Sequence, residues 1–192
     1  PGQEQSLAAK KPELLAQLAA EYERYFDDVT SQGFESLPAV LDAQAPTEIL
    51  LPAHEADIRG DAFNYAHQFG WAEDWLKALG GNGQASWPLR VTEAADIEIL
   101  LSYATSAGDT ALSVRAGDTR IEVRLDGFES AEIPGRRVYE TGEAVERTWR
   151  EIAVLRTTLE PGTHRITLES SGPGLLVKAV TVVPRRASSA TL

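Results

Sequence analysis

Between Pro12 and Asp28 the apolar side chains Leu14, Leu15, Leu18, Ala19, Tyr22, Tyr25 and Phe26 recur at three- and four-residue intervals. That spacing stacks them along one face of an α-helix. Pro12 suits the first turn, where its missing N–H would have had no intrahelical partner. The spacing predicts an amphipathic helix over 12–28, with Glu, Lys, Gln and Arg on its other faces. Two tyrosines and a phenylalanine on one stripe are a large apolar payload, so the helix is expected to pack on something. Gly33, Pro38 and Pro46 then interrupt any periodicity, and residues 29–46 read as a connector.

From residue 47 the period changes to two. Short β-type runs occur at 48–51, 87–91, 97–105, 112–116, 120–125, 149–155, 164–169 and 175–183, separated by turn residues. Ile121, Val123 and Leu125 alternate with Arg120, Glu122 and Arg124, so one face of that strand is dry and the other wet. Ala116-Gly117-Asp118-Thr119 reads as a hairpin turn, and Glu160-Pro161-Gly162-Thr163 as a type II turn. Many short strands at this spacing predict a mainly β fold, an antiparallel β-sandwich of jelly-roll or Ig-like kind, similar to carbohydrate-binding modules and preceded by one helix. Two stretches depart from the strand pattern. Residues 72–79 read as a short helical turn or loop carrying Trp75, and 138–148 as polar and weakly helical. The predicted organisation is a terminal helix over 1–28, the connector 29–46, a sandwich over 47–184 and a disordered tail over 185–192.

Composition narrows the function. A chain of 192 residues with 43% apolar and 24% charged residues is ordinary globular material. The formal net charge is −11, and the basic residues fall singly or in pairs without forming a stripe along the sequence. Nucleic acid and anionic membrane surfaces are therefore not expected partners. No apolar run approaches the roughly 20 residues needed to cross a bilayer as a helix. With no cysteine, disulfides, thiolate nucleophiles and cysteine metal sites are excluded. A chain that opens at Pro1 and has no methionine reads as a fragment of a longer protein.

The candidate chemistry is aromatic. Trp71, Trp75 and Trp87 lie within seventeen residues. Indoles on a sandwich loop can stack on the apolar face of a sugar, with Asp74, Glu73 or Asn82 bonding its hydroxyls. Core filling is the competing reading for Trp71 and Trp75, and the favoured one for Trp87 and Trp149, each of which opens a predicted strand. His54 sits in a polar cluster with Glu55 and Asp57. It reads as a hydrogen-bonded histidine at a sheet edge, with a part in the glycan site as the alternative. His54, His67 and His164 lack the spacing that gathers metal ligands on a helix. Glu73 and Asp74, adjacent on one loop, do not suit the two carboxyls that must flank a glycosidic bond. Gly80-Gly81-Asn82-Gly83 lacks the Lys-Ser/Thr of a phosphate loop.

The opening Pro1-Gly2-Gln3-Glu4-Gln5-Ser6-Leu7-Ala8, followed by Pro12-Glu13-Leu14-Leu15, resembles the end of a sulfatase catalytic domain, with Ser6 where that family usually has Asn. Leu51-Pro52-Ala53-His54-Glu55-Ala56, Gly70-Trp71-Ala72-Glu73-Asp74-Trp75 and Glu146-Arg147-Thr148-Trp149 resemble the accessory module of a subset of bacterial arylsulfatases. The resemblance implies a non-catalytic C-terminal module of a secreted or periplasmic sulfatase, partnered by its own N-terminal catalytic domain. Formylglycine and calcium would belong to that domain. The formylglycine motif Cys/Ser-x-Pro-x-Arg is absent here: Ser36-Leu37-Pro38-Ala39-Val40 and Ser171-Gly172-Pro173-Gly174-Leu175 both lack the Arg. No catalytic residue, metal ligand or cofactor is therefore assigned to this chain. Two other classes stay open, a free-standing carbohydrate-binding module and a purely structural or oligomerisation domain.

Overall fold

The computed structural model describes residues 8–31, 33, 36–42, 44, 47–67, 74–106, 108, 110–137, 145–170 and 172–185. It divides into two compact units, Pro1–Glu35 and Ser36–Leu192.

In the first unit the predicted helix is present as α1, Pro12–Thr30, with Pro12 at its start. Its ends contribute little. Lys11 provides no side-chain cap, and no basic residue occupies the last turn, where Asp27 and Asp28 instead meet the negative end of the helix dipole. The Thr30 hydroxyl donates to the Phe26 carbonyl at 2.6 Å and that of Ser31 to Asp28 at 2.8 Å. None of the helix residues is buried, and Leu15, Leu18, Tyr22, Tyr25 and Phe26 all stand exposed. Within the stripe the Tyr22 and Phe26 rings stack at 6.1 Å.

Among the described residues the second unit has fourteen strands. These are β1 (Ala39–Leu41), β2 (Ile49–Pro52), β3 (Asp57–Gly60), β4 (Phe63–Tyr65), β5 (Leu76–Leu79), β6 (Gly83–Val91) and β7 (Ala95–Thr105), then β8 (Thr110–Ala116), β9 (Thr119–Leu125), β10 (Glu132–Arg137), β11 (Val145–Arg147), β12 (Arg150–Leu159), β13 (Gly162–Ser170) and β14 (Pro173–Pro184). A single turn of 3₁₀ helix, Ala53–Glu55, separates β2 from β3. One sheet runs β1-β6-β13-β8-β9, with β3 beside β6; the other runs β12-β7-β14-β5-β4, with β2 beside β14; β10 and β11 pair separately. Every pairing is antiparallel except β1 with β6. The mainly β, antiparallel sandwich preceded by one helix is thus the architecture the alternation predicted.

All eight runs picked from the sequence are strands. Two expectations are corrected. Leu76–Leu79 is strand β5 and not a helical turn, because it is clamped between β14 and β4 and its Leu76 and Ala78 point into the core. Val145–Arg147 is likewise a strand, paired with β10. Both are three or four residues long, too short to show a period of their own, and cross-strand partners decide them.

The core lies between the two large sheets. Leu89, Trp87 and Ala85 of β6, Ile166 and Leu168 of β13 and Leu112 and Val114 of β8 face Ile97, Ile99, Leu101 and Tyr103 of β7 and Val177, Val180 and Val182 of β14. Two polar atoms carried inside find partners across the sandwich: Trp87 Nε1 donates to the Pro52 carbonyl at 2.8 Å, and the Tyr103 hydroxyl to that of Asp126 at 3.1 Å. The first of these bonds ties β6 of one sheet to β2 of the other.

Candidate functional site

The connection between β4 and β5 carries the aromatic candidates. Tyr65 faces Leu76 in the ladder, and the Ala66 N–H donates to the Trp75 carbonyl at 2.8 Å, so the two stems of the loop stay paired one step beyond the strands. Asp74 then locks them. Its carboxylate is almost wholly buried, and it accepts the backbone N–H of Trp75 at 2.8 Å, that of His67 at 3.2 Å and the His67 Nδ1–H at 2.9 Å. A buried carboxylate is tolerable only when donors converge on it. Here they come from both stems, and Asp74 acts as a clip on the loop base.

That clip orients the rings. The His67 imidazole, bonded to Asp74, meets the Trp75 indole edge-on at 4.7 Å and 73°. Trp75 also meets Trp149 at 5.6 Å and 63°. Trp149 immediately precedes β12, and Trp75 immediately precedes β5. Arg150, Tyr103, Val177 and Leu76 form one row across β12, β7, β14 and β5. At about 4.8 Å per strand the two strand starts are therefore roughly 14 Å apart, and the indoles bridge β7 and β14 to touch. Both remain half-buried, with the His67 side chain 47% exposed. The result is an aromatic corner with a polar edge.

Of the residues singled out from the sequence, Trp75 and Asp74 come together here, Asp74 as the anchor of the loop. Trp71 and Glu73 lie outside the described residues. His54 is elsewhere: it lines a recess of about 520 Å³ with Leu51, Asp57, Tyr65, Trp87 and Pro88. Its Nδ1 is buried without a hydrogen-bond partner. Trp87 fills the core as expected, whereas Trp149, also expected there, is half-buried at the corner because β12 begins one residue after it. His67, weighed from its spacing only as a metal ligand, belongs to the corner. Its one signal was a histidine and an aspartate closing the two ends of the same short loop.

The recess and the corner are electrostatic neighbours through Tyr65, whose hydroxyl donates to the Ala56 carbonyl at 2.9 Å. Burial raises the Tyr65 phenol above its ordinary value, and the charges of Asp57 and Asp74 add to that. Asp57 itself is held by the Ser36 hydroxyl at 2.5 Å and by the Arg165 guanidinium. Among the described residues no group of three or more His, Asp or Glu side chains is placed to hold a metal ion.

No protein-family model and no curated protein sequence matches the chain. Solved structures do. The GH26-CBM35 β-(1,4)-mannanase of Podospora anserina aligns over 74% of this chain and 29% of its own, with a TM-score of 0.55 and 14% identity. A family 35 carbohydrate binding module from Clostridium thermocellum aligns over 71% of this chain and 97% of its own, at 0.50 and 14%. The fold is a carbohydrate-binding-module-like β-sandwich. The same fold recurs at a TM-score of 0.55 and 12% identity in the mosquito-larvicidal Cry4Aa toxin of Bacillus thuringiensis, over 78% of this chain and 25% of the toxin. This chain therefore spans less than a third of the mannanase and of the toxin, and identities this low carry the architecture alone.

Proposed function

We propose that this chain is a non-catalytic accessory module that binds a glycan through the Trp75–Trp149 corner. The observation that carries the reading is the pair of half-buried indoles, held edge to face beside a loop whose base is clipped by Asp74. Indole faces suit the apolar C–H faces of pyranose rings, and the exposed His67 imidazole supplies a hydrogen-bonding edge next to them. Trp71 and Glu73, on the same loop, are proposed to extend this surface; His54, in the separate recess, is not needed for it. An extracellular or periplasmic setting accompanies this reading.

Calorimetric titration of the purified chain against a panel of neutral oligosaccharides tests it. Binding is expected, and Trp75→Ala or Trp149→Ala should weaken it at least tenfold, about 1.4 kcal/mol, with the fold intact by circular dichroism. Absence of heat with every glycan, from a folded protein, refutes the reading. A sulfatase parent is the finer proposal, and it rests on the sequence resemblance at Pro1–Ala8 and around Trp71. Turnover of an aryl sulfate by this chain alone would contradict it. A second reading, a contact role, is favoured by α1: its stripe of Leu15, Leu18, Tyr22 and Tyr25 is exposed and suits another apolar surface, such as an N-terminal catalytic domain.

A further inference from the structure

The outward face of the β1-β6-β13-β8-β9 sheet has a composition opposite to that of the whole chain. Strand alternation sends Ala85, Trp87, Ile166, Leu168, Leu112 and Val114 inward, and therefore their neighbours outward. Six of the chain's 14 arginines hold outward positions here: Arg59 on β3, Arg90 on β6, Arg165 on β13, Arg115 on β8, and Arg120 and Arg124 on β9. Only three carboxylates share those positions, Asp57, Glu122 and Glu169. In a chain of net charge −11, this face is locally cationic.

The ion pairs on the face do not consume its charge. Arg165 is taken by Asp57 and the Ser86 hydroxyl, and Arg120 by Glu169 at 2.7 Å and the Ser113 hydroxyl at 2.8 Å. Arg115 is exposed and has no polar partner among the described residues. In the ladder it stands directly opposite Arg120. Like charges facing each other across strands are destabilising, and no fold requirement asks for two arginines at that register. On the other side of Arg115 the row continues to Thr167 and then Ser86. Thr167 is 1% exposed although it belongs to the outward face, and its hydroxyl has no hydrogen-bond partner. A buried hydroxyl left unpaired is unfavourable. Arg115, without a polar partner among the described residues, and Arg120 opposite it in register offer N–H donors to an anion, in the same row as the enclosed and unpartnered Thr167 hydroxyl.

We propose that the Arg115–Arg120–Thr167 row is a second binding site, which takes the acidic group of an anionic glycan, a uronate carboxylate or a sulfate ester. Arg115 presents an unused planar fork of N–H donors suited to either group. The outward positions of the sheet carry no aromatic side chain on which a nucleobase could stack, and beyond the patch the chain is strongly acidic, so an extended polyphosphate is disfavoured. The choice of a glycan as the carrier of the anion rests on the function proposed above; the site itself is separate from the Trp75–Trp149 corner.

Native gel retardation and calorimetry with polygalacturonate, dextran sulfate, an uncharged mannan and single-stranded DNA test the proposal. Both acidic polysaccharides, or one of them, are expected to bind, and the stronger of the two identifies the carboxylate or sulfate as the preferred group. Raising the salt from 50 mM to 500 mM should weaken that binding at least tenfold. Arg115→Gln should weaken it about tenfold and Arg115→Gln with Arg120→Gln further, while Arg115→Lys retains part of it and the unfolding temperature of all three stays near wild type. Trp75→Ala should leave acidic binding intact and remove only mannan binding. Acidic binding by a chain that ignores mannan and every other neutral oligosaccharide of the panel would therefore sink the corner and leave this site standing. The proposal is overturned if neither acidic polysaccharide binds, if the double variant binds them as wild type does, or if DNA binds as tightly as they do.

Discussion

At the scale of single residues, this protein shows how a polar side chain is made acceptable inside or beside a core. Asp74 is buried because three N–H donors from both stems of its loop converge on it. Asp57 solves the same problem differently. Burial pushes its carboxyl up, but the Ser36 and Arg165 hydrogen bonds and the charges of Arg165 and Arg59 outweigh that and hold it below its ordinary 3.8. A carboxyl depressed in the folded state contributes stability that is present above its unfolded value and lost as the pH falls through the folded one. Denaturant midpoints measured from about pH 6 down to about pH 2 should therefore decline more steeply for wild type than for Asp57→Asn. Equal acid limbs in the two proteins would show that Asp57 contributes nothing to acid sensitivity. None of this was visible in the sequence, since Ser36, Asp57 and Arg165 are brought together from 21 and 108 residues apart.

Elements differ in how far they explain themselves. The helix α1 and the seven strands of seven or more residues carry their own period, so residue order was enough to find them, and the four-residue β2 was found from its apolar run. The short strands β1, β3, β4, β5, β10 and β11 have three to six residues each, and exist because a neighbour completes their hydrogen bonds. Gly60 makes the point at β3. It pairs with Gly83 of β6, has φ +80, and a Cβ there would lie 2.2 Å from the Asn82 carbonyl oxygen. Both the conformation and the close approach demand glycine. Gly60→Ala should destabilise the sandwich by at least about 2 kcal/mol, combining the left-handed backbone with the displacement of Asn82. A thermal or urea midpoint unchanged within error would refute that. The aromatic corner belongs to this scale too. Trp75 was legible as a loop indole, but its partner Trp149 arrives from 74 positions later in the chain, and only strand order brings the two starts onto one row.

For the molecule as a whole, the sandwich unit is one cooperative body because its two sheets share a core and are also bonded through it. Trp87 spans the gap, buried in one sheet while donating to Pro52 of the other. Trp87→Phe should lower stability by about 1–3 kcal/mol, from the lost bond and the volume left behind. Hydrogen exchange should show protection falling in both sheets together; loss confined to β6 and its neighbours would mean the sheets unfold independently. The amino-acid order by itself determined the class of this fold, the helix and the long strands, because a period of 3.6 or of two is a local property that solvent and core impose residue by residue. It also limited the chemistry, since absent cysteine and an absent Cys/Ser-x-Pro-x-Arg motif need no coordinates. The tertiary structure alone decided which distant side chains meet. Arginines that look scattered along the chain gather on one face because alternate residues of five neighbouring strands point the same way. Asp74, Trp75 and Trp149 become a corner because antiparallel pairing, not sequence distance, sets who is adjacent.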